Sequence, residues 1–135
     1  MVTGILGQVH GHLGWPLIGA VGAVLWVALV TVQFRKGSWN MGLLRTTRVF
    51  VVMLNIQIML GILVWMMQAR WTGQEALMSY EHPVTMIVGH SVFMVGNLLL
   101  RRTDNVDRKL RTALIWVTAT MVVIGLGLAR VKGLL

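Results

Sequence analysis

Four long stretches of this chain carry no Asp, Glu, Lys or Arg: Leu13 to Phe34, Val49 to Ala69, Pro83 to Leu100 and Thr112 to Ala129. Each approaches the roughly 20 residues that a helix needs to cross about 30 Å of hydrocarbon. They predict transmembrane helices at about 12–34, 47–69, 82–101 and 108–130, which leaves little of the 135 residues for anything else. Connections this short favour one all-α domain over residues 1–135, a transmembrane up-down-up-down four-helix bundle. Composition agrees: only 12% of residues are charged, against about a quarter in soluble domains.

A net charge of +8 would suit a nucleic-acid partner, but its placement argues against one. Nine of the twelve basic residues lie between the first and second stretches (Arg35, Lys36, Arg45, Arg48) or between the third and fourth (Arg101, Arg102, Arg108, Lys109, Arg111). The other side has only Arg70, Arg130 and Lys132. This is the positive-inside pattern, and it predicts that both termini and the segment Arg70 to Glu81 face outward. Anionic lipid headgroups account for the basic loops, so the lipid bilayer is the expected partner and nucleic acid is not. The absence of cysteine excludes disulfides, iron–sulfur clusters and thiolate metal sites. No Lys or Arg precedes the first stretch, which suits a retained outside-to-inside helix.

Local signals refine the layout. Met1 to Gly11 reads as an interfacial lead-in, because Gly4, Gly7 and Gly11 disfavour a firm helix. Pro16 is expected in the first turn or two of helix one and Pro83 in the first turn of helix three, where a missing amide does least damage. Glu81 is expected near the amino end of helix three, where a carboxylate suits the dipole. Gly37-Ser38-Trp39-Asn40 is turn-like, and Thr103 to Asp107 offers capping residues. Trp15, Trp65 and Trp71 mark the outer interface, and Asn55 and Gln57 need partners near mid-membrane.

The four histidines are His10, His12, His82 and His90. Helices one and three both start on the outer side, so His10, His12 and His82 share a depth, and His90 lies about 12 Å further in. Eight residues also rotate by about 80°, which leaves His82 and His90 on one broad face. The outer three also read as ordinary interfacial histidines. An ionisable residue inside a transmembrane helix is a functional candidate by default; for His90 the plainer role is a hydrogen bond to Asn55, Gln57 or Thr118. Gly19, Gly61, Gly89 and Gly125 lie at similar depth on the four helices, either for close packing or as a slot for a planar macrocycle. Imidazoles from helices one and three would then be axial ligands, with Arg70 and Arg130 at the mouth beside the propionates. Ten methionines also suggest copper, since thioether and imidazole both bind it, although methionine in apolar helices is usually packing.

A family resemblance adds to this. His10-x-His12, the run Leu54 to Val64, and Glu81-His82-Pro83 with Met86 resemble small bacterial four-helix membrane proteins of the cytochrome b-like type. The Gln57-x-x-Leu60-Gly61 element, with a histidine opening the next helix, is similar to one half of haem A synthase. The resemblance implies haem b in a slot near the outer face, ligated from helices one and three, in a bacterial inner membrane. His90-Ser91-Val92-Phe93 is similar to the segment around the synthase's second ligand. Only one four-helix half is present, so the resemblance does not imply the oxygenating activity. The expected function is a b-type haem protein in electron transfer or another redox role. Such a role calls for a redox partner protein or quinone, and a homo-oligomer is compatible with it. The alternatives are a non-catalytic bundle subunit of a larger complex, and copper handling.

Overall fold

The computed structural model describes residues 2–135; Met1, where the expected lead-in begins, lies outside them. Among the described residues, four helices are long and apolar enough to cross a membrane. We label them α1 (Thr3–Phe34), α2 (Met41–Met67), α3 (Leu77–Arg101) and α4 (Val106–Val131). α1 and α3 each neighbour both α2 and α4, so α1 and α3 stand on one diagonal of the bundle. All helices run antiparallel to their neighbours, as short connections require. Both termini and the segment around Arg70 lie at one end, and the main basic clusters lie at the other.

All four helices begin earlier than the uncharged stretches suggest. The expected lead-in is helical instead, running from Val2–Gln8 through a wide π turn at Val9–Gly14 into Trp15–Phe34. A glycine costs about 1 kcal/mol in an isolated helix, but here the segment packs on α2, and a Cβ on Gly7 would sit 3.5 Å from Gln68 Nε2. Packing against α2 outweighs propensity. α2 begins at Met41 rather than near 47 because the Asn40 side chain accepts from Leu43 N at 3.0 Å, which caps the first turn. Asn105 does the same for α4, accepting from Arg108 N at 2.9 Å.

Pro83 lies in the first turn of the α-helical part of α3, His82–Arg101. A wide turn at Leu77–Glu81 precedes it, just as Val9–Gly14 precedes Pro16. The cause is shared. Proline lacks an N–H and its ring crowds the carbonyl four residues back, and a widened turn relieves both problems. Glu81 stands at the amino end of that α-helical part, between it and the wide turn, and its carboxylate meets Arg130 at 3.3 Å.

The core is apolar and interdigitated. Phe50 and Phe93 meet edge to face, centroids 5.0 Å apart at 87°. α3 and α4 pack most intimately, because glycines on their shared faces admit large neighbours: Gly89 beneath Ile124, Gly96 beneath Trp116, and Gly127 beneath Met86 and Thr85. Much of the outward surface is also apolar, including Val24, Val52, Ile56, Leu98, Ile115 and Val122. A chain with both faces apolar suits hydrocarbon surroundings.

Candidate functional site

The two wide turns shape a cavity of about 420 Å³ between α1, α2 and α3, at the end carrying the termini. His10 lies inside the first turn and His82 directly follows the second. Both project into the cavity across the α1–α3 diagonal, with ring centroids 6.3 Å apart and planes at 78°. Trp15 completes an aromatic trio, 5.9 Å from His10 and 6.4 Å from His82.

The backbone around these rings is held by donors from α2. Pro83 cannot donate to the Ser79 carbonyl, and Trp65 Nε1 does so instead at 2.9 Å. Gln57 Nε2 donates to the His10 carbonyl at 2.7 Å. Gly14 admits that carboxamide, which any Cβ there would strike. Gly61 forms the floor under His10, where a Cβ would stand 2.9 Å from the imidazole Cε1. α2 therefore fixes both histidine-bearing turns.

Against this order, two polar atoms stand out. Among the described residues, His10 Nδ1 and His82 Nδ1 are both buried without a hydrogen-bond partner, as Gln33 Oε1 and Thr120 Oγ1 are elsewhere in the bundle. Buried polar groups are paired in the great majority of cases, and unpaired ones call for an explanation such as a catalytic role or an unseen ion. Arg70 also lines the cavity; its Nε donates to Gln68 Oε1 at 2.6 Å.

Of the residues singled out in the sequence, His10, His82, Gly61 and Arg70 meet at this cavity. The others lie elsewhere. His12 is exposed. His90 lies deeper, its Nε2 2.7 Å from Asn55 Oδ1, so α2 and α3 are tied by the plainer of the two roles considered for it. Gly89 is filled by Ile124, whereas Gly19 and Gly125 face open space. Arg130 is engaged with Glu81 and the Leu135 carbonyl. The sequence reading missed Trp15 as a ring of the site and Trp65 as its brace. The second was within reach, because a proline announces an orphaned carbonyl four residues upstream.

Among the described residues, no group of three or more His, Cys, Asp or Glu gathers to hold a metal ion. The donor set is two imidazoles. Chain-only metal cages usually use four ligands, whereas haem iron has four equatorial positions filled by the macrocycle and needs only axial donors. Two imidazoles on facing helices at one cavity would thus fit a group that brings the rest of its metal's ligands with it. Compared with family models, curated proteins and solved structures, the chain matches none.

If His90 is a structural tie, His90→Ala should cost about 0.6–2 kcal/mol of stability, the usual range for a hydrogen bond between membrane helices. Thermal unfolding in detergent reads this directly. A variant as stable as the parent would mean that the Asn55 contact contributes nothing.

Proposed function

We propose that the chain is a membrane haem protein of b type, in which His10 and His82 would hold the iron, with an electron-transfer or other redox role. One observation carries the reading: two half-buried imidazoles, 6.3 Å apart, line one cavity between helices, and among the described residues the buried Nδ1 atom of each has no hydrogen-bond partner. Its volume lies within the roughly 300–1,000 Å³ typical of small-ligand and cofactor sites. Haem, when bound, supplies one-electron chemistry at its iron.

The chain's own residues have separable tasks. Gln57 and Trp65 hold the two turns by their carbonyls, which sets the imidazole positions. Trp15 and Met86 provide apolar walls that exclude water from the ligating nitrogens. Arg70 provides a cation at the rim for a carboxylate of the ligand. The charge distribution favours an inner-membrane orientation with this end outward. A site at one face cannot carry an electron across the bilayer alone, so the role requires a redox partner protein or a quinone.

The test is spectroscopic. Protein purified from cells with ample haem should show a Soret band that shifts on dithionite reduction. Protein that purifies colourless and stays unchanged on adding hemin would sink the reading. Met78 and Met86 also line the cavity, so elemental analysis belongs in the same experiment. Stoichiometric copper without a Soret band would favour copper handling instead.

A further inference from the structure

A second cavity, of about 350 Å³, opens at the basic end of the bundle. Three helices supply its cations: Arg48 from α2, Arg101 from α3 and Lys109 from α4. Asn97 and Trp39 complete its polar rim, and no carboxylate lines it. Lys109 Nζ stands 6.0 Å above the Trp39 ring, within reach of a cation–π attraction that would hold it over the opening.

None of the three cations is neutralised. The one ion pair among the described residues is Arg130 with Glu81, at the far end of the molecule. Asp104 and Asp107 lie in the adjoining turn and first helical turn, yet neither comes within ion-pair distance of Arg48, Arg101 or Lys109 among the described residues. Three like charges around one concavity repel each other, and a bound anion would convert that repulsion into attraction. A guanidinium pair with an ammonium is a donor set suited to phosphate oxygens.

The surroundings select the source of the phosphate. The pocket lies where the apolar spans of α2 and α3 meet their charged ends, and Leu44 and Leu100 form part of its wall. A headgroup seated there would leave its acyl chains beside the apolar helix surface. Basic pockets between helices at this level are characteristic binding places for anionic lipid heads. We propose that this pocket binds the phosphate of an anionic phospholipid, as a defined site distinct from the general attraction of basic loops to the membrane. The proposal does not depend on the haem reading.

Native mass spectrometry of the detergent-solubilised full chain, titrated with phosphatidylglycerol or phosphatidylcholine, tests it. The parent should retain phosphatidylglycerol at least tenfold better. Each cation removed should weaken retention about fivefold, and Arg48→Gln/Arg101→Gln/Lys109→Gln together on the order of a hundredfold, at roughly 1 kcal/mol per charge. The control Arg35→Gln/Lys36→Gln/Arg108→Gln removes equal charge from the same end outside the pocket, and it should change retention by less than about threefold. Single Arg101→Gln, at an exposed helix end, gives a reading even if the triple variant folds poorly. Equal losses in pocket and control variants would overturn the proposal in favour of diffuse charge. Full displacement of the lipid by millimolar inorganic phosphate would overturn it in favour of a soluble anion, and no preference over phosphatidylcholine would remove the site altogether.

Discussion

Replacing His82 or His10 by alanine should abolish the Soret band of the purified protein, whereas His12→Ala and His90→Ala should keep it. The asymmetry follows from placement. His10 and His82 line one cavity with unpartnered nitrogens, His12 is exposed, and His90 is occupied by Asn55. If His10 and His82 hold the iron as proposed, losing either would remove a metal bond and its geometric fixation together, so binding should fall by orders of magnitude rather than by a small factor. Added imidazole should partly restore the band in either cavity variant, because truncation to alanine leaves the space the ring had filled. Gly61→Val offers an independent approach. Its Cβ would press on the His10 ring at 2.9 Å, so haem should bind more weakly although both histidines remain. Should His90→Ala lose the band while His82→Ala retains it, the ligand assignment falls. If all four single variants keep it, the cavity is not the haem site.

The two kinds of information in this sequence differ sharply in what they fix. Charge is a matter of depth. A span without Asp, Glu, Lys or Arg must lie where ions are costly, so the four helices and their short turns are legible from charge alone. Rotation about each helix axis is another matter, and the site depends on it. Gly19, Gly61, Gly89 and Gly125 do not share one depth, because Gly61 stands against the His10 ring, about 13 Å outward of Gly19 at 1.5 Å per residue; one forms the cavity floor, one is filled by Ile124 and two face open space. His82 and His90 differ by only about 80° of rotation, which is enough to turn one into the cavity and the other onto Asn55 of α2. The wide turns before Pro16 and Pro83 add to this, because each inserts a residue that a 3.6-residue period does not count. The prolines announce that the local hydrogen-bond ladder must change. Whether it changes by a break, a kink or a wide turn depends on what waits to satisfy the freed carbonyl. Here Trp65 satisfies the one at Ser79, fourteen residues away in sequence and on another helix.

That dependence on rotation gives a second large expected effect, from one kind of substitution made at two places on the α3–α4 pair. A methyl group added at Gly96 would collide with the Trp116 ring. Both residues lie within the tightest interface of the bundle, so neither backbone can retreat without opening the contact around it. Gly96→Ala should therefore destabilise by about 1–3 kcal/mol, as overpacking of a well-filled core does, and Gly96→Leu should prevent folding. At Gly125 the added methyl meets nothing within 4 Å. Gly125→Ala should thus gain the intrinsic helix preference of alanine, up to about 1 kcal/mol. Thermal unfolding in one detergent compares the two directly, and the expected shifts have opposite signs. Helix propensity acts alike on both glycines, so a difference in sign isolates packing as the cause. Shifts of the same sign would mean that α4 is rotated differently from its placement here, which would move Gly127 off Met86 and with it one wall of the histidine cavity.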